Sequence, residues 1–278
     1  MDYSQCKTMR IAIADGIARV TLDNGEINLF DGQMFKEMSQ LAGALAEDDA
    51  VRVVILHSAN PDFFIAHFDV GQILKYAPDR EVSSTDLKPF HIMCEAFRTM
   101  PKATIAVIEG RVGGGGSELA LSCDMRFALR GKAVFNQPEV ALGILPGGSG
   151  TVRLPRLIGR SRALEVILGC DDVDADLAQS WGWVNRSMSA EELWPHVNRL
   201  AARIASFPRH AVIAAKASVL NADKAIRDDL IAEGTLFQGT LGGEGTRQAM
   251  ERFMSGGGQT PLGEGRLGAL AGELHKPV

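Results

Sequence analysis

The sequence predicts an α/β fold followed by a helical C-terminal region, and three observations carry this reading. Apolar, β-branched runs alternate with amphipathic helical stretches through about the first 200 residues. One stretch, Thr104 to Leu121, joins a strand, a glycine turn and a helix without interruption. From Ala190 onward only helical patterns occur. The chain therefore divides into a core over 1–200, a helical region over 201–255 and a Gly-rich tail over 256–278. Weak patterning in that tail predicts a loose or partner-bound extension.

Taken in order, Arg10–Ala14 and Ile17–Asp23 alternate about Asp15-Gly16 and read as a β-hairpin, closed by a turn at Asp23-Asn24-Gly25. Asp31 is placed to cap a helix whose apolar face carries Phe35, Met38, Leu41, Ala42 and Leu45. Val51–His57 is a strand, broken at Asn60-Pro61-Asp62, and a short helix runs through Leu74. A polar loop over Pro78–Thr85 precedes a helix from Leu87 to Met100. Thr104–Ile108 lacks any charged residue and reads as a buried strand. Gly113–Gly116 follow, and an apolar helix is expected from Ser117, with Glu118 in its first turn. Beyond Pro146 the pattern gives helices over 150–159, 161–168 and 174–180, then a short extended piece at Trp183-Val184-Asn185. Four more helices are expected at 190–206, 208–221, 224–240 and 244–254.

Composition narrows the functional classes. A net charge of -5 and a pI near 5.7 offer no electrostatic footprint for nucleic acid. No apolar run reaches the ~18 residues of a membrane helix, so no membrane partner is expected. Cys6, Cys94, Cys123 and Cys170 are scattered without a CxxC pair, which predicts reduced thiols and a cytoplasmic protein. The histidines are not at ligand spacing, and no metal site is expected.

The chemistry concentrates between Thr104 and Pro146. Glycines at a strand-to-helix turn let the backbone approach a ligand closely. Amides at the helix start are unpaired and point outward, where they can cradle a negative atom. Glu118 stands beside them, and Glu139 follows 21 residues later in Gln137-Pro138-Glu139. Together these features suggest an oxyanion hole flanked by acid/base carboxylates. The glycine run matches neither a P-loop nor a GxGxxG motif, and Ser117 lacks the final glycine of a GxSxG elbow. Asp124 and Arg126 read as fold-ordering residues, and Trp181, Trp183 and Trp194 as packing residues.

Three segments, IEGRVGGGGSELALSCD, FNQPEVALGILPGGSGTVRLPRLIG and RALEVILGCDDVDADLAQSWGWVN, resemble the crotonase, or enoyl-CoA hydratase/isomerase, superfamily. The resemblance extends from the N-terminal hairpin to about Met254. It implies a crotonase-like spiral of ββα turns with a C-terminal helical trimerisation region, assembled as a homotrimer or dimer of trimers. It also implies an acyl-CoA substrate, with no cofactor beyond the coenzyme A thioester itself. The positions matching the family's two oxyanion amides are Phe68 and Gly115. Glu118 matches the carboxylate that activates water, and Glu139 the one that protonates C2. Ala66, Asp69, Gly114 and Gly147 match substrate-binding positions.

The implied reaction is hydration of 2-enoyl-CoA to 3-hydroxyacyl-CoA. The alternatives are another crotonase reaction (enoyl-CoA isomerase or acyl-CoA thioester hydrolase) and a non-catalytic acyl-CoA-binding member. The chain departs from the family pattern at His67-Phe68, where relatives carry Gly-Ala, at Gly71 in place of a lysine, and at Gly256–Gly258 in place of a basic segment. His67 reads as a surface loop residue in preference to the alternative, a polar group near the thioester.

Overall fold

The computed structural model describes residues 1–76, 86–222 and 226–274; the polar loop expected over Pro78–Thr85 lies outside them. Strands β1 (Met9–Ala14) and β2 (Ile17–Leu22) pair antiparallel. Asp15 and Gly16 both take positive φ, 52° and 77°, as a two-residue hairpin turn that matches strand twist demands. Helix α1 (Gly32–Glu47) starts at Asp31, whose side chain accepts from Met34 N, and it buries Met34, Met38, Leu41, Ala42 and Leu45. Next come β3 (Val53–Ser58), β4 (Phe63–Ile65), the single turn α2 (Val70–Ile73) and α3 (Pro89–Thr99). They are followed by β5 (Ala103–Ile108), β6 (Arg111–Gly113), α4 (Gly114–Leu121), β7 (Met125–Leu129) and β8 (Val134–Asn136). Then come α5 (Gly150–Ile158), α6 (Arg160–Gly169), β9 (Val173–Asp174), α7 (Ala175–Trp181) and β10 (Arg186–Met188). Six helices complete the described chain: α8 (Ala190–Ser206), α9 (Arg209–Leu220), α10 (Ile226–Leu241), α11 (Thr246–Ser255), α12 (Pro261–Glu264) and α13 (Leu267–Glu273).

The strands form two sheets, ordered β1-β2-β3-β5-β7-β10 and β4-β6-β8-β9. Successive pairs β3/β4, β5/β6 and β7/β8 contribute one strand to each sheet, and every step between pairs is parallel. That advance is the spiral the resemblance implies. Strand β5 lies between β3 and β7 and is buried on both faces. Its Ala106 and Ile108 join the main core, while Ile105 and Val107 pack on Leu193, Val197 and Ala201 of α8. The strands of the smaller sheet have two or three residues, too short for alternation to reveal them.

The Gly-rich tail is folded as far as it is described. Leu267, Leu270 and Leu274 pack against Val70, Leu142, Ile144 and Phe253 instead of extending loosely. Its glycines serve close approach: a Cβ on Gly263 would fall 2.0 Å from Gly257 O. Asp124 accepts from Thr104 N and Lys216 Nζ, and Arg126 donates to the carbonyls of Cys123 and Trp183, as fold-ordering residues do.

Candidate active site

Strand β6 delivers the chain to α4 through Gly114, at φ +46°. A Cβ there would lie 2.9 Å from Glu139 Oε1 and 3.2 Å from His67 Cβ, so this position admits glycine on two counts. The helix begins at Gly114 and not at Ser117, which moves Glu118 from the first turn into the second. The two following glycines, Gly115 and Gly116, sit where the crowded site leaves no room for side chains. Gly116, for example, would put a Cβ 2.6 Å from Ile65 Cβ.

Glu118 Oε1 accepts from Gly148 N at 2.8 Å and Gly150 N at 2.7 Å. These amides lead into α5, where the helix macrodipole also favours negative charge. Ser149 between them takes φ +103°, unfavourable for a residue with a Cβ, and its N–H donates instead to Glu233 Oε2 at 2.6 Å. Glu233 further accepts from Thr151 Oγ1 and meets His91 Nε2 at 2.9 Å. The turn is thus held from both sides by carboxylates on α4 and α10. Sequence reading missed Glu233 and His91, which are 142 residues apart and carry no local signal.

Phe68 and Gly115 come together as expected. A Cβ on Gly115 would fall 3.3 Å from Phe68 Cβ. Phe68 bridges Phe30 through His67 O and Asp69 N, which turns the Phe68 amide to the opposite side. Gly115 is the second residue of α4, whose N-terminal amides have no intrahelical partner, and Gly113 supplies no side-chain cap. Both residues line a cavity of about 560 Å³ together with Glu118, Glu139, Gly147 and Gly148. Phe35, Phe90 and Phe237 add aromatic walls, and Lys88 and Tyr76 also face it. Phe68 lines this space and does not fill it.

Glu139 opens a 3-10 turn, Glu139–Leu142, and is almost fully buried. In the amide orientation that satisfies both groups, Gln137 donates to its two oxygens at 3.2 and 3.1 Å. Burial pushes the Glu139 carboxyl up to about 7. Burial also raises Glu118 well above the ordinary range, with the charges of Glu139 and Glu233 adding to it; the Gly150 and Gly148 amides oppose the rise. Both carboxyls of the pair therefore hold a proton more tightly than a carboxyl in water, and they titrate as a coupled pair.

The remaining sequence-derived candidates divide. Gly147 lines the cavity against Phe237, but the amides that reach the Glu118 carboxylate belong to Gly148 and Gly150. Ala66, Asp69 and Gly114 are not among the cavity-lining residues. Ala66 N donates to Ile27 O, and Asp69 caps α2 by accepting from Gly71 N. His67 is not a surface residue: it is 4% exposed and meets Glu264 Oε1 at 3.0 Å. The tail covers it, where the sequence reading expected a loose or partner-bound extension. Among the described residues, no group of three or more His, Cys, Asp or Glu side chains is placed to hold a metal ion.

A family model described as enoyl-CoA hydratase/isomerase matches residues 12–257. The chain belongs to that family. A crotonyl-CoA hydratase of Syntrophomonas wolfei is 37% identical over 194 residues, 69% of this chain and 73% of that protein. A short-chain-enoyl-CoA hydratase of Clostridium acetobutylicum is 32% identical, covering 86% of this chain and 91% of its own length. Among solved structures, a candidate enoyl-CoA hydratase from Streptomyces avermitilis superposes with a TM-score of 0.87 at 35% identity, over 96% of this chain and 98% of that one. Family enzymes act on coenzyme A thioesters, and an acyl-CoA substrate is consistent with that family. No helix among the described residues is long and apolar enough to cross a membrane.

Proposed function

We propose that this family member hydrates a 2-enoyl-CoA to the 3-hydroxyacyl-CoA. The observation that carries the reading is the pair of buried carboxylates, Glu118 and Glu139, facing one cavity beside the Phe68 and Gly115 amides. The thioester oxygen takes hydrogen bonds from those two amides. Their alignment on the enolate oxygen accounts for roughly 3–4 kcal/mol of barrier per donor. Glu118 uses Oε1 for two amides, which favours its ionised form and leaves the other oxygen to take a proton from water. We assign the proton of the pair to Glu139 and the ionised form to Glu118, whose two amide bonds oppose the rise that burial and the Glu139 and Glu233 charges impose on it. Water attacks C3 as Glu118 accepts its proton, the electron pair of the double bond moves onto the thioester oxygen, and Glu139 delivers its proton to C2. Proton transfer from Glu118 to Glu139 through solvent restores the starting state. An isomerisation needs only one acid/base carboxylate, so the second favours hydration.

Coenzyme A enters as part of the substrate, and the reading requires no further cofactor. We also propose a homotrimer or a dimer of trimers in a reducing, cytoplasmic setting. Helix α9 has no buried residue, and its Val219 is 72% exposed, which supports an oligomer contact there. The free thiols of Cys94, Cys123 and Cys170 are buried, in keeping with a reducing compartment. Loss of the enoyl-thioester absorbance with crotonyl-CoA and with a longer 2-enoyl-CoA tests the activity. Turnover that disappears in Glu139→Gln supports it; equal turnover in that variant removes Glu139 from the mechanism.

A further inference from the structure

His67 replaces a glycine of the family pattern, and its partner Glu264 lies beyond the residues matched by the family model. Neither belongs to the acid/base pair, yet both are buried, Glu264 completely. His67 Nδ1 lies 2.8 Å from Phe68 O and Nε2 lies 3.0 Å from Glu264 Oε1. A carbonyl and a carboxylate oxygen only accept, so the ring satisfies both contacts when both nitrogens carry protons. Gln259 N donates to the same Glu264 oxygen at 2.6 Å, which favours the ionised carboxylate, while Glu264 Oε2 is buried without a partner. The contrast with His91 is informative: there only Nε2 has a partner, and Nδ1 is buried without one.

His67 adjoins two parts of the site. Through Phe68 O it holds the peptide turn that carries the Phe68 amide. Across Gly114 its Cβ approaches Glu139, since a Cβ on Gly114 would lie 3.2 Å from His67 Cβ and 2.9 Å from Glu139 Oε1, and each group feels the charge of the other. We propose that His67, kept charged by Glu264, is a positioning residue: a fixed cation that anchors the oxyanion turn and sets the proton affinity of Glu139. On this view residues 259–264 belong to the active site.

The charged groups that act on His67 are Glu264 from α12 and Glu139 from the 3-10 turn. Asp69 is engaged by Gln259 Nε2 at 2.9 Å. Arg111 of β6 acts on Glu264 and is itself paired with Asp172. The Phe253 ring of α11 packs edge-on at 5.5 Å. The sum around His67 is negative, and the charge of Glu264 raises its affinity for a proton above the ordinary value against the opposing effect of burial.

The test has two arms, one resting on the proposed hydration and one independent of it. In the full-length protein with labelled histidine, the ring nitrogens of His67 are read by NMR against pH. The wild type is expected to show an imidazolium through neutral pH, and Glu264→Gln a neutral ring. In the kinetic arm, His67→Gln removes the cation whose charge Glu139 feels, so Glu139 holds its proton more tightly and the alkaline limb of kcat moves to higher pH. Glu264→Gln moves it the same way, the double variant moves it no further, and Glu264→Asp restores it. The rate at neutral pH is expected to fall about tenfold, within the ~10²-fold that misplacing reacting groups by 1 Å costs. A neutral His67 ring in the wild type, or an alkaline limb unmoved in both Gln variants, overturns the inference. If wild type hydrates nothing, the proposed function fails while the NMR arm still decides the state of His67. If a Gln variant does not fold, Glu264→Asp and the wild-type titration carry the decision.

Discussion

Burying the Glu139 carboxyl costs stability that its replacement should return, with a defined pH dependence. Its pKa rises from the ordinary 4.5 to about 7 on folding, chiefly through burial. The folded state therefore favours the protonated form. Stability contributed by that proton is complete below pH ~4.5 and is lost as pH rises to ~7, beyond which the penalty is constant. The penalty on the ionised form is roughly 3 kcal/mol, of which about 2 kcal/mol develops between pH 5 and pH 8. Glu139→Gln removes the titration while keeping the shape of the side chain. In urea unfolding, the stability of the variant relative to wild type should rise by about 2 kcal/mol between pH 5 and pH 8, mostly below pH 7. The variant is thus expected to be firmer at pH 8 and inactive. A difference that stays flat across this range would refute the buried-pair electrostatics on which the acid/base assignment rests.

Phe68→Ala leaves the backbone amide in place but removes a ring from the cavity wall. It should alter the preference between short and long 2-enoyl-CoA more than it lowers the best kcat, and an unchanged chain-length profile would exclude the ring from acyl contact. Gly114→Ala forces a Cβ into 2.9 Å contact with Glu139 Oε1 at φ +46°. It should cost about 1–3 kcal/mol in thermal or urea unfolding together with most of the activity; a wild-type profile would show the site to be more yielding than described. Truncation after Met254 removes buried Leu267, Leu270 and Leu274 along with Glu264. A Tm drop of several degrees or more is expected, and an unchanged Tm would mean that the tail does not hold the core.

The chain order of strands and helices was largely legible because each long element carries its own period and caps. Asp31 and the Asp15-Gly16 turn behave as their chemistry dictates. Glu118 and Glu139 were legible because a motif places them near each other in sequence; their burial and the amides holding Glu118 were not. Contacts such as His91–Glu233 and His67–Glu264 join residues 142 and 197 positions apart. Topology alone brings them together, so periodicity and spacing are silent about them. The packing of the tail on the core was not legible because its glycine content suggests looseness. Leucines at 267, 270 and 274, spaced for one helix face, were the available signal.

The most direct measurement of the central claim is the NMR analysis of products from crotonyl-CoA incubated with the protein in D2O. Hydration by two carboxylates predicts a 3-hydroxy thioester with one solvent-derived deuteron at C2 and the thioester intact, abolished in Glu118→Gln and Glu139→Gln. Release of free coenzyme A thiol, a shifted double bond without a hydroxyl, or recovery of unreacted substrate would contradict it.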